Sequence, residues 1–245
     1  MTPFDAHGID HLSAGSLNLW MANPREWAVR YLAKQEAEDP DPALWRGSAV
    51  EAGLACWLRG GSLEQARTAA CQSFDLNALG DLSDEAEAER GLMSLMVDRA
   101  CGWTAPGDLT ASQLRIEHCF DGIPVPLVGF LDFAFETEID VDLKTTRACP
   151  SRPRGNHVRQ VALYRAARDR RGGLLYVTAR KLAYFEIDNA DAQAALDDLH
   201  AAGLSLTQFL AKVGDADDAL ACLPYNPDDF RTTPKVPIDP VLQDR

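Results

Sequence analysis

The 245-residue sequence has no apolar run near the ~20 residues needed to cross a bilayer, so no membrane span is expected. Its first ten residues hold no basic cluster leading into an apolar segment, which speaks against a secretory signal and for a cytoplasmic location. Its six cysteines (Cys56, Cys71, Cys101, Cys119, Cys149, Cys222) are scattered and form no C-x-x-C pair. That excludes an obvious zinc site or disulfide framework and leaves isolated reduced thiols. Positive charge is also scarce: 24 Lys and Arg against 37 Asp and Glu give a formal net charge of -13. Phosphate affinity comes largely from Lys and Arg, so this total alone argues against a nucleic-acid ligand. No internal repeat or low-complexity tract is present.

The distribution of charge points the other way. Eight arginines (Arg147, Arg152, Arg154, Arg159, Arg165, Arg168, Arg170, Arg171) and one acid, Asp169, fall within 25 residues, so this window carries +7 and the remainder -20. Such a run fits either a solvated helix face or a phosphate-binding strip.

Periodicity divides the chain. In 13–34, Leu17, Trp20, Trp27 and Tyr31 recur near the spacing of one helix face, and Pro24 opens a second helix. Asp39-Pro40-Asp41-Pro42 breaks the chain, 43–59 resumes a helical pattern, Gly60-Gly61 stops it, and further helices are expected over 62–74 and 83–101. After Pro106 come short segments rich in β-branched and aromatic residues (113–120, 125–136, 139–145), which read as adjacent antiparallel strands. A basic loop over 147–155 leads to a helix at 157–170, strands at 174–178 and 184–187, and a helix at 190–213. This order predicts an α/β fold, a mixed central β-sheet flanked by helices with a mainly helical N-terminal part. The expected organisation is a single domain: 1–105 mostly helical, 106–215 the α/β core, and 216–245 a tail whose Pro-rich part, from Leu223, wraps the surface.

Several polar residues sit where this pattern draws attention. In Ile139-Asp140-Val141-Asp142-Leu143-Lys144-Thr145, the strand period of two puts Asp142 and Lys144 on one face, and Asp140 shares it. Parity leaves both aspartates open. Asp142 is preferred because its spacing to Lys144 lets one carboxylate hold a cation while the lysine meets a phosphate or water. Asp132 is a lone acid in an apolar strand and needs a cation, a donor or solvent. It is either a capped strand-end residue or one side of a site shared with the next strand, whose hard oxygen ligands suit magnesium. Glu51 lies among small and apolar residues of a helix and is by itself as consistent with a solvent-facing position. Gln160 and Tyr164, four apart, share a helix face, where they could orient a carboxylate, the lysine or a phosphate, or Tyr164 could be core.

Taken together and in order, these pieces resemble the RecB-like branch of the PD-(D/E)XK nuclease superfamily. Leu12 to Trp20, with Pro24, Trp27 and Tyr31, is similar to that branch's opening helix pair. Residues 47–51 resemble its first acidic motif, 129–132 its second, Asp142-Leu143-Lys144-Thr145 its third, and Gln160 with Tyr164 its fourth. Many members of the branch have histidine where Glu51 stands, whereas phage-type exonucleases use glutamate. The resemblance implies a restriction-endonuclease-like core and Mg²⁺ or Mn²⁺ held by Asp132, Asp142, Glu51 and the Leu143 carbonyl. It also implies that Lys144 orients water or stabilises the oxyanion, that Gln160 and Tyr164 support it, and that Arg147, Arg152, Arg154 and Arg159 track the DNA backbone. The activity implied is hydrolysis of linear DNA from its ends, in phage-type recombination or repair, with a single-strand annealing recombinase as a possible partner. A DNA endonuclease and a non-catalytic DNA-binding module are the alternatives. Some relatives carry a four-cysteine iron-sulfur cluster. Here Asn23 precedes Pro24 and only Cys222 lies near the end, so no cluster is expected.

Overall fold

A computed structural model of the chain describes residues 2–35, 41–81 and 83–224. Its elements run α1 (Pro3–Ala6), α2 (Ala14–Ala22), α3 (Pro24–Tyr31), α4 (Pro42–Leu58), α5 (Leu63–Ala78), α6 (Asp84–Cys101), β1 (Leu109–His118), β2 (Leu127–Phe135), β3 (Ile139–Thr145), α7 (Gly155–Arg168), β4 (Arg171–Val177), β5 (Leu182–Ile187), α8 (Asn189–Leu210) and α9 (Ala216–Cys222). The helix starts follow from local chemistry. The side chains of Ser13, Asn23, Asp41, Ser62 and Ser83 each accept a first-turn backbone N–H. Pro24 and Pro42 stand at the first helical position, where a missing N–H costs nothing. No helix among the described residues is long and apolar enough to cross a membrane.

The five strands form one sheet in chain order, β1-β2-β3-β4-β5. Pairing is antiparallel except between β3 and β4, which α7 connects in parallel. The expected mixed sheet flanked by helices is therefore present. On one face Phe133, Phe135, Val141, Leu143, Leu175 and Val177 pack against α4, α5 and α6. On the other, Leu174 and Tyr176 pack against Val161 and Ala162 of α7 and Ala192 and Ala195 of α8. The alternation of Leu174 and Tyr176 with Leu175 and Val177 is the signature of a strand covered on both faces. A separate apolar cluster joins α1, α2 and α3 to α8 and α9 around Trp20 and Trp27.

Several boundaries differ from the sequence reading. β1 spans Leu109–His118, not 113–120, and β4 opens at Arg171, not 174, because Gly172 and Gly173 are strand residues. Close packing explains both glycines: a Cβ on Gly172 would stand 2.6 Å from Val161 Cγ1, and one on Gly173 would collide with the Tyr184 ring. α7 and α8 begin and end slightly earlier than expected. Two short helices, α1 and α9, were not anticipated, and α9 occupies the start of the supposed tail; residues 225–245 lie outside those described. Of the expected break at 39–42, residues 39 and 40 also lie outside them, while Asp41 and Pro42 open α4.

β2 is irregular where it matters. Leu131 packs with Ile116 and Tyr164 on the α7 face, but Phe133 and Phe135, which strict alternation would keep on Leu131's face, belong to the opposite core. Ala134 joins Leu131 instead. The strand thus turns over at Asp132, and its β1 neighbour Gln113, between the pairs Ser112↔Phe133 and Leu114↔Leu131, has a left-handed backbone with φ 51°.

Two glycines give a stability test of this packing. A Cβ at Gly129 would stand 2.8 Å from Tyr164 Cε1, whereas Gly91, exposed within α6, has nothing within 4 Å. Gly129→Ala is expected to cost about 1–3 kcal/mol through overpacking, and Gly91→Ala to add about 0.5–1 kcal/mol through helix propensity. Denaturant unfolding of the two variants checks both signs.

Candidate active site

β2 and β3 are bonded only at Phe133↔Val141 and Ala134↔Asp140, and the ladder ends where β2 turns over. There Asp132 Oδ2 accepts the Leu143 N–H at 2.7 Å, so the carboxylate replaces a strand partner. One strand across, Asp142 is buried at 1% exposure and Lys144 Nζ lies 2.6 Å from its Oδ2. Lys144 Nζ also donates to Gln160 Oε1 at 2.9 Å. Gln160 Nε2 donates to the Tyr164 hydroxyl at 2.7 Å, and that hydroxyl donates to the Phe130 carbonyl at 2.8 Å. The helix face shared by Gln160 and Tyr164 is thus tied to the lysine at one end and to β2 at the other. Gly129 makes this possible, since its missing side chain lets the Tyr164 ring lie against the strand.

α4 brings Glu51 to the same place. Its carboxylate Oε1 accepts from Gln113 Nε2, which donates at 3.2 Å to Asp132 Oδ1 as well. The helix is anchored by Arg46, a buried residue paired with Glu89 of α6, whose other oxygen pairs with Arg147. A buried pair of this kind fixes geometry more than it adds stability.

The electrostatics are those of acids short of positive charge. Burial, then Asp142 and Glu51, push the Asp132 carboxyl well above the usual range. Burial also raises Asp142, against the pull of Lys144, and raises Glu51, against its hydrogen bond from Gln113. Lys144 moves the other way to its burial: desolvation would lower it, but Asp142 and Asp132 hold it above its ordinary value, so it is charged. Close by, Tyr176 pairs with Lys144 in register, and its hydroxyl lies 2.8 Å from His157 Nδ1. Burial, then Lys144 and Arg154, push that imidazole down to about 4.

The donors fit a divalent metal in kind: carboxylates and a backbone carbonyl are hard oxygen ligands. Both Asp142 carboxylate oxygens are buried without a hydrogen-bond partner apart from the Lys144 ion pair. As the side chains stand, no group of three His, Cys, Asp or Glu among the described residues is closed around a point that could hold an ion. The Gln113 amide lies between Glu51 and Asp132, and the Lys144 ammonium lies on Asp142.

The other named residues fall elsewhere. Asp140, on the same face of β3, pairs with Arg168 at 2.6 Å and Arg170 at 3.6 Å. Its partners come from the end of α7 and from the turn before β4. Most of the arginine run is engaged in intramolecular contacts, several of them at the surface. Arg147 holds Glu89, Arg159 holds Asp198 at 2.9 Å and Asn18 at 3.1 Å, Arg171 holds Glu186, and Arg165 donates to the Ile187 and Asp188 carbonyls. Arg147 and Arg159, expected to track phosphates, each pair with an acid here, and Arg147 is largely exposed while Arg159 is a quarter exposed. Arg152 and Arg154 are exposed and have no ion-pair partner among the described residues. Surface clefts of about 210 and 420 Å³ share Arg165, Asp169 and Arg170 and lie at the Asp140 end of the sheet. Gln113 and His157 carried no signal in the sequence: an amide in a strand and a lone histidine gain meaning only from what the fold sets opposite them.

A model of the PD-(D/E)XK nuclease superfamily matches residues 11–235. No curated protein matches the chain. Among solved structures, the "Putative exonuclease" from Eubacterium rectale aligns with a TM-score of 0.60 at 13% identity, covering 82% of this chain and 81% of that one, a likeness of fold. The structure of SSO0001 covers 73% of this chain and 84% of its own at 14% identity, but its TM-score of 0.33 carries no argument.

The raised carboxyls predict a pH signature. A carboxyl whose folded pKa exceeds its unfolded value destabilises the fold once ionised; the penalty is absent below the unfolded value and grows as pH rises through the folded one. In EDTA at pH 8, Asp132→Asn is expected to raise Tm by about 2–4 °C, on the order of 1 kcal/mol. The gain should vanish as pH falls to about 4, the ordinary carboxylate range. Thermal melts across pH check this, and a variant less stable than the parent at pH 8 contradicts the electrostatic account.

Proposed function

Because the chain belongs to the PD-(D/E)XK nuclease superfamily, we propose that it is a divalent-metal-dependent deoxyribonuclease of the RecB-like branch that degrades linear DNA from its ends. The observation that carries this reading is the meeting of Asp132, Asp142 and Lys144 where β2 and β3 part, with Gln160 and Tyr164 behind the lysine. The phage-type pattern with Glu51, and the fold shared with a protein described as a "Putative exonuclease", support action at ends. A single-strand annealing recombinase is the partner that a phage-type recombination role would require.

Asp132 and Asp142, with Glu51 and the Leu143 carbonyl, would hold Mg²⁺ or Mn²⁺. When bound, the ion lowers the pKa of a water and offsets charge on the scissile phosphate. Lys144, kept protonated by Asp142 and Asp132, presents a fixed positive charge to the developing oxyanion. Its ammonium is aimed by Gln160, whose amide is locked in one orientation because its nitrogen is engaged by Tyr164. The exposed Arg152 and Arg154, just before α7, bind the backbone of the incoming strand.

Lys144→Ala removes no metal ligand, so it should stay folded and bind DNA in Ca²⁺ while cleavage in Mg²⁺ falls by about 10²–10³. Normal cleavage by this variant would sink the proposed site. Linear duplex should be degraded much faster than a covalently closed circle; equal rates would make the enzyme an endonuclease and leave the site intact.

The arginines are separable by salt titration of DNA binding. Arg152→Ala and Arg154→Ala should each flatten the log–log salt slope by about 0.9, the value for one lost phosphate contact. Arg159→Ala should leave the slope unchanged, since its guanidinium serves Asp198 and Asn18.

A further inference from the structure

β1 contributes to the site a side chain that the chemistry above does not use. Gln113 Nε2 donates both to Glu51 Oε1 and, at 3.2 Å, to Asp132 Oδ1. A primary amide nitrogen carries two N–H groups, so one nitrogen can serve two carboxylates at once. Gln113 is more exposed than either acid, and its backbone lies in the left-handed region at φ 51°, which a side chain larger than glycine rarely adopts. A strained, solvent-facing residue in mid-strand is retained where its side chain is held firmly, and two hydrogen bonds to carboxylates are of the strong, charge-assisted kind.

The location of the nitrogen gives it a consequence. It touches one oxygen from α4 and one from β2, so an ion held by those same oxygens would compete with it. An amide and a cation do not occupy that point together. Lys144 is a second donor at the site, on the other acid: its ammonium lies on Asp142 and donates to Gln160. We propose that Gln113 is a positioning residue that bridges Glu51 and Asp132 until a divalent cation arrives, and that the cation displaces its amide to bind. This inference rests on the metal-dependent reading of the site. Gln113 holds α4 and β2 in register against the repulsion of their carboxylates, and it sets the affinity for the ion by competing with it.

The test compares the parent with Gln113→Ala, which keeps a non-glycine backbone at that position, in the absence of DNA. In EDTA at pH 8 the variant should melt several degrees lower, because the carboxylates lose their shared donor. In saturating Ca²⁺ the deficit should close, since the ion has already displaced the amide in the parent. Calorimetric Ca²⁺ affinity should rise on the order of tenfold, as two hydrogen bonds no longer have to be broken first. Gln113→Asn, which tolerates the left-handed backbone but is one methylene too short to span both acids, should shift both quantities in the same direction. If Gln113→Ala binds Ca²⁺ no more tightly than a parent that does bind it, or keeps the same melting deficit with and without Ca²⁺, Gln113 is a structural residue and the proposal falls alone. If the parent neither binds nor is stabilised by Ca²⁺, Mg²⁺ or Mn²⁺, the metal site and this proposal fall together.

Discussion

The buried Asp142–Lys144 pair is the constraint around which the rest of the core is organised. An ion pair inside a sheet covered on both faces survives only if its geometry is good and its remaining polar atoms are served. Lys144 meets that demand through Gln160 and Tyr164, and Tyr164 in turn reaches the Phe130 carbonyl. That chain of contacts spans β3, α7 and β2. It requires α7 to lie close enough that β2 carries glycine at position 129, and the apolar residues around it, Ile116, Leu131 and Ala134, close the interface.

The opposite face of the sheet supplies the mechanical support. Val141 and Leu143 alternate with Asp142 and Lys144, so the strand that presents the ion pair to α7 buries its apolar side against α4 and α6. Because α4 is held there by packing and by Arg46 on Glu89, Glu51 reaches the site from the far side of the sheet edge. Three acids are then drawn together by elements whose stability comes from elsewhere. Burial pushes all three carboxyls up, and proximity of the other acids adds to the rise at Asp132 and Glu51.

Charge elsewhere follows a different logic. Asp140 with Arg168 and Arg170 ties β3 to the end of α7, and buried Glu89 with Arg46 and the exposed Arg147 ties α6 to α4 and to the loop after β3. They engage three of the eight arginines of the segment that looks strongly basic in one dimension, and Arg159, Arg165 and Arg171 make further intramolecular contacts. What remains available at the surface near Lys144 is the short stretch with Arg152 and Arg154, so a chain of net charge -13 presents positive charge to a phosphate over a small area only.

Apart from the short α1 and α9, the sequence by itself determined the kinds of element and their order, because apolar periodicity and helix-start residues are local physics: Pro24 and Pro42 open helices, and the alternation through 139–145 is a strand. It also singled out Asp132, Asp142 and Lys144, since charged residues inside apolar strands are costly and conspicuous. It started the fourth strand at 174, past Gly172 and Gly173, because their lack of side chains has meaning only against Val161 and Tyr184, which the fold brings beside them. Parity treats Asp140 and Asp142 alike and only the spacing to Lys144 favoured Asp142; the tertiary structure separates them, giving Asp140 to Arg168 and Asp142 to Lys144. Gln113 and the fate of each arginine were decided wholly by the fold. Hydrogen bonds and ion pairs across 19 to 62 residues depend on where strands turn over and helices land, which no local pattern encodes.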